Sequence, residues 1–113
     1  MSDKTIFQKI IDGELPAEKL YETDSLIVIK DIAPIAPVHL LIIPKKIVPS
    51  FQALQEEDSN FLSDMVKAAQ KMAKQFNIEK NYRLITNIGE EAGQTIFHLH
   101  FHLIGGRGLK EMG

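Results

Sequence analysis

Three of the four histidines in this chain lie within five residues, at His98, His100 and His102. Imidazole can exchange a proton near neutral pH, and it can attack phosphorus and carry it as a covalent intermediate. Alternate side chains of a strand share a face, so a strand over residues 95–104 would project the three rings together. A single histidine on a sheet commonly just faces water. Three at this spacing indicate an active-site strand that acts on phosphorus.

A metal site is the main alternative for these histidines, because zinc accepts three imidazoles and a water molecule. Neighbouring histidines on the strand would be about 7 Å apart, and all three would span about 13–14 Å. One ion with bonds of about 2.1 Å cannot reach all three. Two of them together with His39 remain a geometrically possible metal site. We nevertheless predict that the protein needs no metal and no other cofactor.

A glycine-bearing loop precedes the histidines and could bind phosphate. Asn87-Ile88-Gly89 and Ala92-Gly93-Gln94-Thr95 lie at its two ends. Glycine lets backbone N–H groups turn towards an oxyanion, and Asn, Gln and Thr side chains can donate further hydrogen bonds. Glu90 and Glu91 argue mildly against an anion at the loop tip. Taken alone, the segment is typical of an ordinary turn.

The elements that must position these residues belong to an α+β fold, in which long antiparallel strands surround one long helix. The main helix is predicted over residues 56–76, where apolar residues follow the helical period, and Asn77 would end it. A short helix with Ile6, Phe7 and Ile10 on one face is predicted near the N-terminus, capped by Ser2 or Asp3 and ended by Asp12-Gly13. Strands are predicted over residues 19–22, 26–29, 39–43, 82–86 and 95–104.

Composition narrows the class of protein. The chain has 113 residues, 44% of them apolar and 25% charged, which predicts a single domain over residues 1–113. There is no cysteine and the net charge is −2, without a basic block that would coat a nucleic acid. The first residues do not resemble a secretory signal, and no apolar stretch could cross a bilayer. We therefore expect a cytoplasmic protein without nucleic-acid or membrane partners.

Several segments together resemble a known family. Residues 98–104 are similar to the His-φ-His-φ-His-φ-φ signature of the histidine triad (HIT) superfamily, where φ is an apolar residue. Gly105-Gly106-Arg107 then follows as in its HINT branch, the histidine triad nucleotide-binding proteins. Residues 5–11, 31–39, 41–45 and 87–94 also resemble that branch. The resemblance covers nearly the whole chain, and it implies a HIT-like fold of about five antiparallel strands with one long and one short helix.

The resemblance also implies an activity: hydrolysis of purine nucleoside phosphoramidates at the P–N bond through a nucleotidyl-histidine, with an ability to act also on aminoacyl-adenylates. His100 would be the nucleophile, and the carbonyl of His98 would help to set its tautomer. His102 would contact the phosphate, with His39 in support. Thr95 stands where animal members have serine, so it would keep the hydroxyl near the leaving group. A dinucleoside polyphosphate hydrolase and a nucleotide-binding interaction module with weak activity are the alternatives.

Further residues of the nucleotide site follow from the same resemblance. The phosphate would be bound by Asn87, Gly93, Gln94 and Thr95, together with His100 and His102. Asp31 would accept the ribose hydroxyls. The base would lie between apolar side chains, namely Ile6, Phe7, Ile10, Ile29 and Ile32. Branch members are homodimers that join their sheets, and a homodimer is expected here. The tail over residues 109–113 lacks the Trp-Pro-Pro-Gly segment of the best-known members, which affects the choice of leaving group.

Overall fold

Five antiparallel strands form one sheet, and their composition explains which of them are central. β2 (Leu26–Lys30) and β3 (Val38–Pro44) are rich in leucine, isoleucine and valine, which pack well on a pleated surface, and all seven residues of β3 are buried. The structure, a computed structural model, describes residues 4–110. The other strands are β1 (Tyr21–Glu22), β4 (Tyr82–Ile85) and β5 (Phe101–Gly105), and the spatial order is β1-β2-β3-β5-β4.

Two helices cover the two faces of this sheet. α1 (Ile6–Ile11) packs Phe7 and Ile10 against the side chains that β2 and β3 direct to one face. α2 (Ser59–Gln75) packs its apolar stripe against the alternate side chains of the same strands. This arrangement confirms the predicted α+β architecture with one long and one short helix. No helix within residues 4–110 has both the length and the apolar content needed to span a membrane.

The start of α1 differs from the prediction. Thr5 is the N-cap, and its hydroxyl accepts the backbone N–H of Gln8 at 3.1 Å. The predicted cap at Ser2 or Asp3 was therefore wrong, and those two residues lie outside the described part of the chain. Threonine serves this purpose well because its oxygen satisfies a backbone donor that has no partner inside the helix.

The long helix is shorter at its start than predicted. Residues 56–58 form a 3₁₀ turn, in which the Asp58 carboxylate accepts the Gln55 N–H at 2.8 Å, so α2 begins only at Ser59. At the other end Asn77 has a φ of 59°, the left-handed conformation that ends a helix. The predicted stop at Asn77 is thus confirmed.

The last strand is also shorter than the predicted residues 95–104. β5 pairs with β3 only from Phe101 onwards, where Phe101 lies opposite Ile42. Before that point, the Leu99 N–H bonds the carbonyl of Val48 at 2.6 Å, in the loop that follows β3. The partner strand itself ends at Pro44, which has no N–H to offer a ladder. The chain therefore joins the sheet only after His98 and His100.

Candidate active site

The three histidines share a face as predicted, although only His102 belongs to β5. The residues between them are buried in the core under α2, and the histidines themselves lie on the side of α1. The ring of Phe7 is edge-on to both His98 and His100, at centroid distances of 6.1 and 4.9 Å. The His100 and His102 centroids are 5.1 Å apart. Side chains thus alternate between the two faces already at residues 98–100, before the hydrogen-bonded ladder of β5 begins.

Backbone carbonyls orient the first two histidines. Nε2 of His98, which is fully buried, donates to the carbonyl of Pro44 at 2.8 Å. Nδ1 of His100 donates to the carbonyl of His98 at 2.8 Å, and the Thr86 hydroxyl donates to the carbonyl of His100 at the same distance. A neutral imidazole carries one proton. With that proton on Nδ1, the lone pair of His100 Nε2 is available as a nucleophile.

The other two histidines form a second hydrogen-bonded unit. The backbone N–H of Ile35 donates to Nδ1 of His39 at 3.2 Å, which places the proton of the neutral ring on Nε2. That N–H lies 2.9 Å from Nδ1 of His102 and 3.3 Å from a carboxylate oxygen of Asp31. Because Nδ1 of His102 accepts, its proton is on Nε2. The site therefore offers a lone pair on His100 and an N–H on His102.

Burial keeps His102 neutral at physiological pH. Its pKa is lowered to about 4, first by burial and then by the nearby His100 and His39, while Asp31 opposes the shift. Burial also lowers the pKa of His98, with His100 adding to the effect and the Pro44 carbonyl opposing it. Each of these neutral rings carries one proton. The hydrogen bonds described above determine which nitrogen carries it.

Asp31, His39 and His102 also form the cluster that comes nearest to the metal alternative. One ligand atom from each lies within 4.8 Å of the others. A metal bound to His39 would need the lone pair of Nε2, but the Ile35 N–H on Nδ1 leaves the proton at Nε2. The hydrogen bonds thus favour a hydrogen-bonded unit of Asp31, His39 and His102 over a metal site.

The predicted phosphate loop is built around Gln94. Its buried side chain accepts the Gly89 N–H at 2.9 Å and donates to the carbonyls of Pro49 and Ile96 at 2.7 and 3.1 Å. These bonds use its amide fully, so the side chain shapes the loop and is not free to hold phosphate, contrary to its predicted role. Thr95, next to it, is exposed.

Gly93 gives this loop its close turn. Its φ is +102°, which other residues rarely adopt, and a Cβ there would lie 3.6 Å from the Asn87 side-chain nitrogen. Asn87 is half-buried beside it. The loop thus brings the predicted Asn87 and Gly93 together.

A cleft of about 290 Å³ lies beside α1, where the base was predicted. Ile6, Ile10, Ile29 and Ile32, four of the five residues predicted around the base, line it. Phe7 does not line it, because its ring is buried against His98 and His100. The sequence did not indicate the remaining lining residues, which come from the turn after α1 and the end of β2: Leu15, Pro16, Ala17, Glu18 and Lys30.

Asp31 lies between this cleft and the histidines. One carboxylate oxygen accepts the Ala33 N–H at 2.8 Å, and the other faces His39. Its chain neighbours Lys30 and Ile32 line the cleft. The sequence did not predict the contact between its carboxylate and His39. A larger open groove, of about 900 Å³, runs along the end of β4, and its described lining contains none of the histidines.

Two groups that orient the site were missed because they are backbone atoms: the carbonyl of Pro44 and the N–H of Ile35. No side-chain pattern indicates such groups. Thr5 could have been found, since a hydroxyl residue just before an apolar helix indicates a cap. Its hydroxyl also lies 3.5 Å from Nδ1 of His98.

Comparison with known proteins agrees with this geometry. A family profile described as "Scavenger mRNA decapping enzyme C-term binding" matches residues 4–111. A HIT-like protein of Chlamydia muridarum is 51% identical over 102 residues, covering 90% of this chain and 81% of the relative. The purine nucleoside phosphoramidase of Escherichia coli is 42% identical over 113 residues, covering 99% and 95%.

Solved structures that are similar to this chain belong to the same HIT family. A HIT family hydrolase from Clostridium thermocellum superposes with a TM-score of 0.91 at 47% identity, covering 99% of this chain and 98% of that one. Three observations therefore agree: the fold of this chain, its sequence similarity to relatives over nearly the full length, and the clustered histidines. The chain belongs to the histidine triad (HIT) family of hydrolases.

Proposed function

We propose that this HIT hydrolase cleaves the P–N bond of purine nucleoside phosphoramidates, and the P–O bond to the acyl group of aminoacyl-adenylates, with His100 as the nucleophile. The observation that carries the proposal is the bond from Nδ1 of His100 to the His98 carbonyl, which leaves the Nε2 lone pair available. The E. coli relative named purine nucleoside phosphoramidase and the apolar cleft beside α1 support a purine nucleotide as substrate.

The reaction would proceed in two steps. Nε2 of His100 attacks the α-phosphorus, the P–N bond breaks, and the amine takes up a proton from solvent as it leaves; with an aminoacyl-adenylate the P–O bond breaks and the carboxylate leaves. Water then attacks the phosphorus of the nucleotidyl-histidine and releases the nucleoside monophosphate. The Nε2–H of His102 donates to a phosphate oxygen, and its pKa of about 4 keeps it neutral, so it acts as a hydrogen-bond donor and not as a fixed charge. No step requires a metal.

The remaining predicted residues would hold the nucleotide for this attack. Asn87 and backbone N–H groups around Gly93 donate to the phosphate, and the exposed Thr95 hydroxyl is available to the leaving group. Asp31 accepts the ribose hydroxyls. The isoleucines of the cleft contact the faces of the base. Such contacts do not distinguish the hydrogen-bonding groups on the edge of one purine from those of another.

Replacing the nucleophile tests the chemistry. His100→Ala should abolish turnover of an adenosine phosphoramidate while AMP still binds within a few-fold of the unchanged affinity, measured by calorimetry. Mass spectrometry of protein quenched by denaturation at alkaline pH, where a histidine P–N bond is stable, should find an adenylyl adduct in the unchanged chain and none in the variant. Gln70→Ala, an exposed change on α2, is the control and should behave like the unchanged chain. Turnover near the unchanged rate in His100→Ala would refute the mechanism.

A substrate panel separates the alternatives. An adenosine phosphoramidate, a diadenosine polyphosphate and a capped dinucleotide, the last suggested by the matching family profile, would be compared at one enzyme concentration. We expect the phosphoramidate to have the highest kcat/KM, unchanged by a chelator. Preference for a polyphosphate would favour the dinucleoside polyphosphate hydrolase. Tight AMP binding with negligible turnover of all three would favour a binding module, and loss of activity with the chelator would favour a metal site.

We further propose that the active form is a homodimer joined along β4. This strand lies at the edge of the sheet, so one row of its backbone groups lacks a strand partner within residues 4–110. Leu84 on β4 and Val66 on α2 are exposed apolar residues, at 39% and 49%. Light scattering should give twice the chain mass, and Leu84→Lys should shift it to the monomer. A monomeric unchanged chain at working concentration would refute this assembly.

A further inference from the structure

The side chain of Arg107 reaches back to the loop that precedes β3. Its Nη2 donates to the backbone carbonyl of Ile35 at 2.7 Å. Arg107 follows directly after β5 and the two glycines, so the contact joins residues 72 positions apart. A guanidinium is always charged, and its bond to a carbonyl is stronger than one between neutral groups. Arg107 therefore holds one particular peptide unit of this loop.

Ile35, the residue that Arg107 holds, also sets the tautomers of His39 and His102. The carbonyl of Ile35 accepts from Arg107, while its N–H donates to Nδ1 of His39 at 3.2 Å. Nε2 of His39 then lies 2.9 Å from Nδ1 of His102. A continuous series of hydrogen bonds thus runs from an exposed arginine to a histidine of the active site.

A second contact holds the same loop from the same side. Gly106 has a φ of +94°, and a Cβ there would lie only 3.0 Å from Cβ of Pro37. The absence of a side chain at Gly106 lets the chain turn closely over this proline. The segment after β5 therefore meets the loop twice, at Pro37 by packing and at Ile35 by a hydrogen bond.

We propose that Arg107 is a positioning residue for the active site. By holding the Ile35 residue it keeps the N–H aimed at His39, and this keeps the proton of His39 on Nε2. His102 is thereby kept with Nδ1 as acceptor and Nε2–H as the donor to the substrate. Arg107 touches neither substrate nor reacting atoms in this arrangement. Its kinetic consequence rests on the proposed function, whereas its effect on the histidine tautomers does not.

The direct test observes the ring nitrogens by heteronuclear NMR, because a protonated nitrogen and a bare one have clearly different shifts. In the unchanged chain, His39 and His102 should each show a single neutral tautomer with the proton on Nε2. In Arg107→Ala both should move towards a mixture of tautomers. His98 and His100 are held by other carbonyls, so their signals should stay in place.

Arg83→Ala is the matched control. Nη2 of Arg83 also donates to a backbone carbonyl, that of Lys110 at 2.8 Å, but this bond does not lead to a histidine. The control removes the same charge and the same kind of bond and should leave all four tautomers unchanged. Ile35→Pro is the second test, because it deletes the N–H while keeping the carbonyl for Arg107. It should give the same mixed tautomers at His39 and His102.

Kinetics add a second readout. With an adenosine phosphoramidate, Arg107→Ala should lower kcat about 3- to 10-fold with KM within about 2-fold, the size expected for one misdirected hydrogen bond. Arg107→Lys, which keeps the charge and a donor, should restore part of the loss. Unchanged tautomers in Arg107→Ala would overturn the proposal, whatever Ile35→Pro shows. If no phosphoramidate is turned over but the tautomers shift, the proposed substrate fails and the positioning role stands.

Discussion

The low pKa of His102 predicts a loss of stability in mild acid. In the folded state this pKa is about 4, against 6.5 for an unperturbed imidazole. Between these two values the unfolded chain binds a proton that the folded chain does not. Stability from this group is therefore complete above the unfolded pKa and is lost as the pH falls towards the folded one. The shift of His98 has the same direction and adds to the slope.

The size of the effect follows from the shift. At about 1.4 kcal/mol per pKa unit the full difference has an upper bound of about 3 kcal/mol. His102 is only half-buried, so solvent reduces this value. Only part of the transition lies above about pH 5, where few carboxylates take up protons. We expect His102 to lower the free energy of unfolding by about 1 kcal/mol between about pH 7.5 and about pH 5.

Urea unfolding at several pH values, in the unchanged chain and in His102→Asn, measures this contribution. The variant will have a different stability at every pH, so the slopes are compared and not the absolute values. The slope in His102→Asn should be smaller by about 1 kcal/mol over that range. An NMR titration should show His102 neutral at about pH 5. A ring that titrates near its ordinary pKa, or equal slopes in the two proteins, would refute the reasoning.

Three further changes test other parts of the structure. Gly93→Ala places a side chain at a φ of +102° beside Asn87; strain of about 1–2 kcal/mol should lower urea stability and weaken AMP binding in calorimetry. Leu103→Ala empties a fully buried core position and should cost about 2–5 kcal/mol in urea unfolding. Asp64→Ala removes the acceptor of the Ser25 hydroxyl at 2.6 Å; thermal unfolding should show a loss of about 1–2 kcal/mol, with kcat unchanged.

Much of the fold could be predicted from the sequence because the apolar patterns are strong. The buried run of β3 and the helical stripe of α2 each have one stable arrangement, with an apolar face covered. The errors lie at boundaries, where a local bond competes with the regular element. The Asp58 carboxylate turns the start of α2 into a 3₁₀ turn, and the Val48 carbonyl takes the Leu99 N–H from the sheet. Such competition depends on tertiary contacts.

The site was predictable to a different degree. Its residue types followed from the histidine spacing and the family resemblance, and the cleft contains four of the five residues expected around the base. The positions of Phe7 and Gln94 were not predictable in this way. Phe7 lies against His98 and His100, and the Gln94 amide is consumed by three backbone groups. The position of each side chain depends on the tertiary neighbours that the fold brings next to it.

The division of labour among the four histidines also comes from the backbone. One hydrogen bond sets the tautomer of each ring: His98 to the Pro44 carbonyl, His100 to the His98 carbonyl, His39 to the Ile35 N–H, and His102 to His39. Two of these partners accept from a ring, and the other two donate to one. That single difference in direction gives His100 a bare Nε2 and His102 a protonated one. Identical side chains thus acquire opposite abilities on rings 5.1 Å apart, as the proposed nucleophile and the proposed phosphate contact require.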